Sequence, residues 1–273
     1  MNRPLARLPV RRLQPTRGSG YEPQWVRFEP SSGADITEGS GLWRNLPFTG
    51  EPATIDSVFA AARVRRVDTS RRNRFMRSDY LNFSSSAYFN LASADTPGSE
   101  GLVVTSGHSA TATPFPASPD DFAAGFATLS SADEYILAFS ACGSTGAMTG
   151  CHFKFGFENE AFRSFGVVNH PVTYPSSAVM TLLDTEVFCL FGDNYKFRGE
   201  AAWAWFHAAS DASAYVDLSD QAQGARNFLL GDPEDWTLPT PLLHFQGPAS
   251  EWNTGVNRGS GGNFTINVPV TDA

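Results

Sequence analysis

The chain is predicted to be all-β, and three observations carry that expectation. Its 273 residues are rich in Phe (22), Gly (24) and Pro (18), a mixture of strand-favouring aromatics and turn formers. From Tyr80 onward, short apolar bursts are separated by clusters of Ser, Thr, Gly and Pro. Several bursts alternate with period two: in CHFKFGF, Phe153, Phe155 and Phe157 fall on one face and His152, Lys154 and Gly156 on the other. Apolar residues make up 41% and charged residues 18%, a globular balance. The length suits one large β domain or two small ones, with a sizeable core.

Residues 1–53 read as an extended arm. Pro and Gly interrupt every possible element, and the stretch alone cannot bury enough surface to offset its ordering entropy. It carries seven Arg against five acids and opens a basic front. Residues 1–77 hold 14 Arg against seven acids, while residues 78–273 carry a net −15, together giving the −8 of the chain. A basic front on an acidic body suggests that the front meets a different partner. Arg3, Arg7, Arg11 and Arg12, with the anchor side chains Trp25, Phe28, Trp43 and Phe48, are the candidate assembly contacts. The preference for Arg (18) over Lys (2) is explained as well by codon bias as by recognition.

The opening MNRPLARLPVRRLQPTRGSG lacks the apolar core of a secretory signal, and Pro4, Pro9 and Pro15 break the helix that a mitochondrial presequence requires. No run of 18 apolar residues predicts a membrane span. Residues 54–77 read as a short basic helix and linker. In TIDSVFAAARVRR, Thr54 can cap, Asp56 sits in the first turn and Val58, Phe59 and Ala62 share a face; Arg63, Arg65 and Arg66 suit the negative end of the dipole. The arginines continue through DTSRRNRFMR, yet no nucleic-acid motif accompanies them, so a solvated or acid-docking face is expected.

The predicted sandwich occupies residues 78–273. Its strands are 80–84, 101–106, 134–142, 151–157, 164–169, 179–184, 187–192, 201–208, 241–247 and 262–270. Ala201, Trp203 and Trp205 are expected on one face of AAWAWFH. In the tail, Phe264, Ile266 and Val268 are expected inward and Asn263, Thr265 and Asn267 outward, with Pro269 near the strand end. Cys142, Cys151 and Cys189 form no disulfide framework; Cys142 and Cys151 either pair across a hairpin or stay as buried thiols.

VFCLFGDNYKFRGEAAWAWFHAASDAS resembles the closing strands of concanavalin A-like (LamG-type) lectin and glucanase domains, with Gly199 at the step into the last core strand. LLHFQGPASEWNTGVNRGSGGNFTINVPVTDA resembles the C-terminus of tailed-bacteriophage virion proteins that carry this fold, with Gly259, Gly261 and Gly262 forming a tight connection. The resemblance covers residues 180–273 well and 78–180 as a half-sandwich, and it implies a concanavalin A-like jelly roll.

Glucanases of this family present E-x-D-x-E or E-x-D-x-x-E on one strand, and neither pattern is present. Glu158 and Glu160 form the nearest acid pair, but the two carboxyls of a glycosidase lie across a sugar, about 5–10 Å apart. Asp193 and Asn194, or Asp232, Glu234 and Asp235, could join a calcium loop; a turn or cap explains them too, and no metal or cofactor is expected. Of the five histidines, His207 and His244 lie within apolar strands. Trp236 and Trp252, in loops, are the candidate sugar-stacking residues, with burial at a sandwich end as their other reading.

The resemblance and the arm together imply a non-enzymatic structural component of a tailed phage or phage-like virion, assembled in the host cytoplasm in many copies with other virion proteins. The alternative is a lectin-like module for host surface glycans; a degraded glycosidase is a third class.

Overall fold

The computed structural model describes residues 21–29, 41–45, 47–52, 55–68, 73–79, 89–93, 102–106, 133–142, 147–156, 163–165, 187–192, 197–216 and 229–273. Two antiparallel sheets dominate them. The larger contains β1 (Val26–Phe28), β3 (Ser57–Arg65), β7 (Asp133–Cys142), β8 (Ala147–Gly156), β9 (Arg163–Phe165), β11 (Gly199–Ala209), β12 (Leu243–Gln246) and β14 (Thr271–Asp272). Its order is β14-β1-β11-β3-β7-β8-β9, with β12 on β11. The smaller holds β2 (Leu42–Asn45), β4 (Arg74–Asp79), β5 (Phe89–Ser93), β6 (Leu102–Ser106), β10 (Val187–Leu190) and β13 (Thr265–Ile266), in the order β13-β2-β10-β4-β5-β6. The chain crosses repeatedly between the sheets, as in a jelly roll: β1, β2, β3 and β4 lie in alternate sheets, as do β12, β13 and β14.

Between the sheets lies an almost purely apolar core. The large sheet contributes Val26, Phe28, Val58, Ala60, Ala62, Val64, Tyr135, Leu137, Phe206 and Phe245; the small sheet contributes Leu42, Met76, Phe188 and Leu190. Aromatic rings interlock within it. Phe28 meets Phe191, Phe197 and Trp252 at centroid distances of 5.1, 5.4 and 5.8 Å.

Part of the expected arm belongs to the two sheets. Its residues 26–28 and 42–45 are strands of the two sheets, and Phe28 and Phe48 are buried in the core, so neither anchors a partner. Trp43 lies at the rim of the small sheet, where its Nε1 donates to Asn267 Oδ1 at 2.8 Å. Trp25 packs on the outer face of the large sheet. Isolated apolar pairs in a Pro- and Gly-rich stretch carry no periodicity, but long-range pairing with β11 and β10 orders them. Arg3, Arg7, Arg11 and Arg12 lie outside the described residues.

The expected helix at 54–66 is a strand, β3, in the middle of the large sheet. Both faces of it are buried. Val58, Ala60, Ala62 and Val64 face the inner core, while Phe59 and Ala61 face a second cluster on the outside. A strand covered on both sides shows a continuous apolar run without alternation, and its alanines then mimic a helix. The following stretch, expected to be linker, forms β4 from Arg74. Strand expectations at 80–84 and 179–184 lie outside the described residues.

One strand also differs from expectation in which residues face inward. Ala201 faces the inner core, whereas Trp203 and Trp205 face outward. The ladder to β3 shifts register between Ala201 and Trp203, a bulge that places Ala202 and Trp203 together on the outside. The bulge lies where β11 changes neighbours: β1 pairs with residues 199–201 and β12 with residues 203–206.

The C-terminal tail closes the sandwich, with Phe264 and Val270 buried and Asn263, Thr265 and Asn267 exposed. Gly255 has φ +67°, and a Cβ there would lie 2.0 Å from the Phe264 carbonyl oxygen. A Cβ on Gly261 would lie 2.6 Å from the Phe48 ring and 2.4 Å from the Leu242 oxygen. Asn257 fastens the same turn: its Oδ1 accepts from the backbone N–H of His244 (2.8 Å) and Gly259 (2.9 Å), and its Nδ2 donates to the Leu242 oxygen (2.7 Å). Asn253 pairs with both backbone groups of Val270, at 2.8 Å each.

Cys142 and Cys189 are buried thiols. In the β7–β8 ladder Cys142 faces Ala147 while Cys151 faces Ala138, four positions along, too far for a disulfide.

Candidate functional site

The polar chemistry of the described residues gathers on the outer face of the large sheet. At one end, register alone builds a row of alternating charge across four strands: Arg27 is opposite Glu200, Glu200 opposite Arg65, and Arg65 opposite Glu134. Glu200, 1% exposed, accepts from Arg27 Nη2 (2.9 Å), Arg65 Nε (2.6 Å) and Arg66 Nη1 (2.9 Å). Burial pushes its carboxyl pKa up, but the hydrogen bonds from Arg65, Arg27 and Arg66 outweigh this and hold it below the ordinary value. Arg66 turns back to reach it through left-handed backbone (φ 50°). Arg63 Nε donates to Glu134 Oε1 at 2.6 Å. The Trp25 ring lies against the Arg65 guanidinium at 4.1 Å and the Arg63 guanidinium at 5.9 Å.

Beside this row lies an aromatic band. Trp203 and Trp205 from β11 and Phe59 from β3 meet Trp236 at 5.2, 4.9 and 6.2 Å. Trp236 belongs to a strap, residues 229–238, that lies over the sheet; Leu229 is fully buried, and Leu230 and Leu238 are partly so. Residues 211–216 cover the adjoining part. There Ser57 Oγ donates to the Asp211 oxygen, Ser140 Oγ donates to the Val58 oxygen (3.0 Å), and the N–H of Val216 donates to Ser140 Oγ (2.8 Å). No described residue supplies an acceptor for the buried indole Nε1 of Trp203 or of Trp205.

Two polar clamps hold the strap. In the first, His244 Nε2 and Gln246 Oε1 are 3.1 Å apart, and Gln246 Nε2 donates to Asp232 Oδ1 at 3.1 Å. Asp232 in turn caps the 3-10 turn Pro233–Asp235 by accepting from the Glu234 N–H. In the second, Arg258 pairs with Glu234 of the strap and Glu251 of the short helix α1 (Ala249–Trp252). Burial depresses the His244 pKa to about 4, against a smaller upward effect of the Gln246 hydrogen bond. Burial, and then the Asp232 charge, raise the Tyr21 phenol to about 12.

These positions bear on several expectations. Trp236 is 7% exposed and wedged among Trp203, Trp205 and Phe59, and Trp252 is fully buried with its Nε1 donating to the Gly247 oxygen at 3.1 Å. Neither presents a ring face for a sugar; both are packing residues, and the loop position that suggested exposure instead folds each indole inward. Asp232 and Glu234 take part in the clamps of the strap. Among the described residues no group of three or more His, Cys, Asp or Glu side chains could hold a metal ion. Glu158, Glu160, Asp193 and Asn194 lie outside the described residues. No local pattern marks Glu200, whose three arginine partners lie 134 to 173 residues away along the chain.

No family model matches the chain, and no curated protein does. Among solved structures it is similar to the native heptameric SAP-like pentraxin from Limulus polyphemus, at 9% identity and a TM-score of 0.38, over 67% of this chain and 75% of that one.

Proposed function

We propose that the chain is a non-enzymatic structural component of a tailed phage or phage-like particle, present in many copies and tethered by residues 1–20. The observation that carries this reading is how that segment joins the fold. Residues 1–20 hold five arginines and no acid, whereas residues 21–273 hold 15 basic and 28 acidic residues, a net −13. The basic segment runs directly into β1, which lies inside the large sheet between β14 and β11 rather than at its edge. Val26 and Phe28 of β1 are core residues. A pull on the tether would therefore be borne by a sheet ladder and the core together. The resemblance of the tail to virion proteins supports the same reading, as does the use of its Trp252, Asn253 and Asn257 for closing the sandwich.

Many weak charge contacts from repeated copies add up to firm attachment by avidity. Replacing Arg3, Arg7, Arg11 and Arg12 together by Ser tests the idea. The variant should fold and melt as the parent does but fail to join particles made in its host. Incorporation at parental occupancy would overturn the tether.

A further inference from the structure

We propose that His244, Gln246 and Asp232 form an acid-sensitive latch, which holds the strap 229–238 over the outer face of the large sheet and lets it lift when His244 takes up a proton. This goes beyond the assembly reading and does not depend on it. The geometry supplies each part. His244 is 5% exposed, with its ring 4.9 Å from the Trp205 ring. Its Nε2 engages the Gln246 amide oxygen, which turns the amide nitrogen towards Asp232 at the start of the strap. Asp232 then fixes the 3-10 turn that delivers Trp236 onto Trp203 and Trp205. The imidazole is thus joined to the strap through one amide.

The interface beneath the strap is also incompletely satisfied. The indole N–H groups of Trp203 and Trp205 are buried without a described acceptor, so strap closure forfeits their hydrogen bonds to water. The strap is in this respect less firmly seated than the inner core, and it is the part expected to open first.

The charges facing His244 fix the sign of the pH effect. From the strap, Asp232 favours the imidazolium; from the β12–β13 connection, Arg258 opposes it. β11 presents the Trp205 ring and β12 the neutral Gln246 amide. Glu234 and Glu251 are engaged by Arg258, and the Tyr21 phenol faces Asp232. Burial dominates the sum, so the closed state resists protonation until about pH 4, whereas a hydrated histidine protonates near 6.5. Between those values, acid favours the open state, in which the imidazole reaches water.

Hydrogen exchange on the full chain, corrected for intrinsic rates, tests this. Strap opening, read at amides 229–238, should increase on the order of fifty-fold from pH 7 to pH 4.5, and at every pH the strap amides should open more readily than those of β3 and β11. His244→Gln, which cannot be protonated, should abolish that increase. Asp232→Ala, which cuts the latch on the strap side and leaves His244 in place, should raise strap exchange already at pH 7 with β3 and β11 unchanged. The latch is refuted by a strap that is insensitive to pH, by strap and core amides that open together, or by an unchanged pH response in His244→Gln.

Discussion

The two faces of the large sheet are both buried, but they are built from different chemistry. The inner face meets the small sheet through Phe28, Tyr135, Phe206 and their neighbours, an interlocked apolar layer. The outer face carries Glu200 with its three arginines, the His244–Gln246–Asp232 chain, and a tryptophan band in which two indoles meet no described acceptor. Burial alone therefore does not define a core. The inner layer fixes the fold by packing that is indifferent to pH and salt. The outer layer adds register and orientation through charges, and those respond to solvent conditions.

The largest effect is expected from breaking the inner layer. Trp252→Ala or Phe264→Ala should each cost about 3–5 kcal/mol in denaturant melts. Trp252 contacts Phe28, Phe191 and Phe245, and Phe264 contacts Phe48 and Phe245. On the outer face, Glu200→Gln removes the common partner of three arginines and should cost about 3 kcal/mol. Its penalty should change with salt concentration, where that of Trp252→Ala should not. An equal salt response in both variants would erase the proposed distinction between the faces.

Acid separates the faces next. His244 has its folded pKa depressed to about 4, so the stability tied to its neutral form is complete above about 6.5 and is lost as pH falls towards 4. The loss at pH 4.5 should be about 2–3 kcal/mol, and His244→Gln should flatten it. Glu200 is depressed as well, so its contribution fades only at lower pH, below the ordinary 4.5 of a glutamate. A single acid transition unaffected by His244→Gln would contradict this order. The smallest effect belongs to Thr265→Ala, on the exposed side of β13, which should stay within about 1 kcal/mol.

The same contrast explains what could be read from the sequence. Apolar bursts set off by turn signals were legible: β6, β7, β10, β11 and β12 fall where those bursts lie, and the inward–outward alternation of the tail appears at Phe264 and Thr265. Strand β3 was not, because its alanine run, buried on both faces, shows no alternation and reads as a helix. The outward turn of Trp203 was hidden by a bulge, a backbone event without a sequence signature here. The candidate site was the least legible part. Glu200 and its arginines are remote in sequence and adjacent only through register, and Trp236 looked exposed because nothing in GDPEDW announces that a 3-10 turn folds it onto the sheet.

The proposed tether requires attachment and folding to separate at residue 20, because β1 and β2 belong to the sandwich. Two truncations, lacking residues 2–20 and residues 2–50, measured side by side by denaturant melt and by particle incorporation, test it most directly. The shorter deletion should melt cooperatively at the midpoint of the full chain yet remain outside the particle. The longer one should lose the cooperative transition, since it removes Val26, Phe28, Leu42 and Phe48 from the core. A cooperative melt without residues 2–50, or normal incorporation without residues 2–20, would contradict the account.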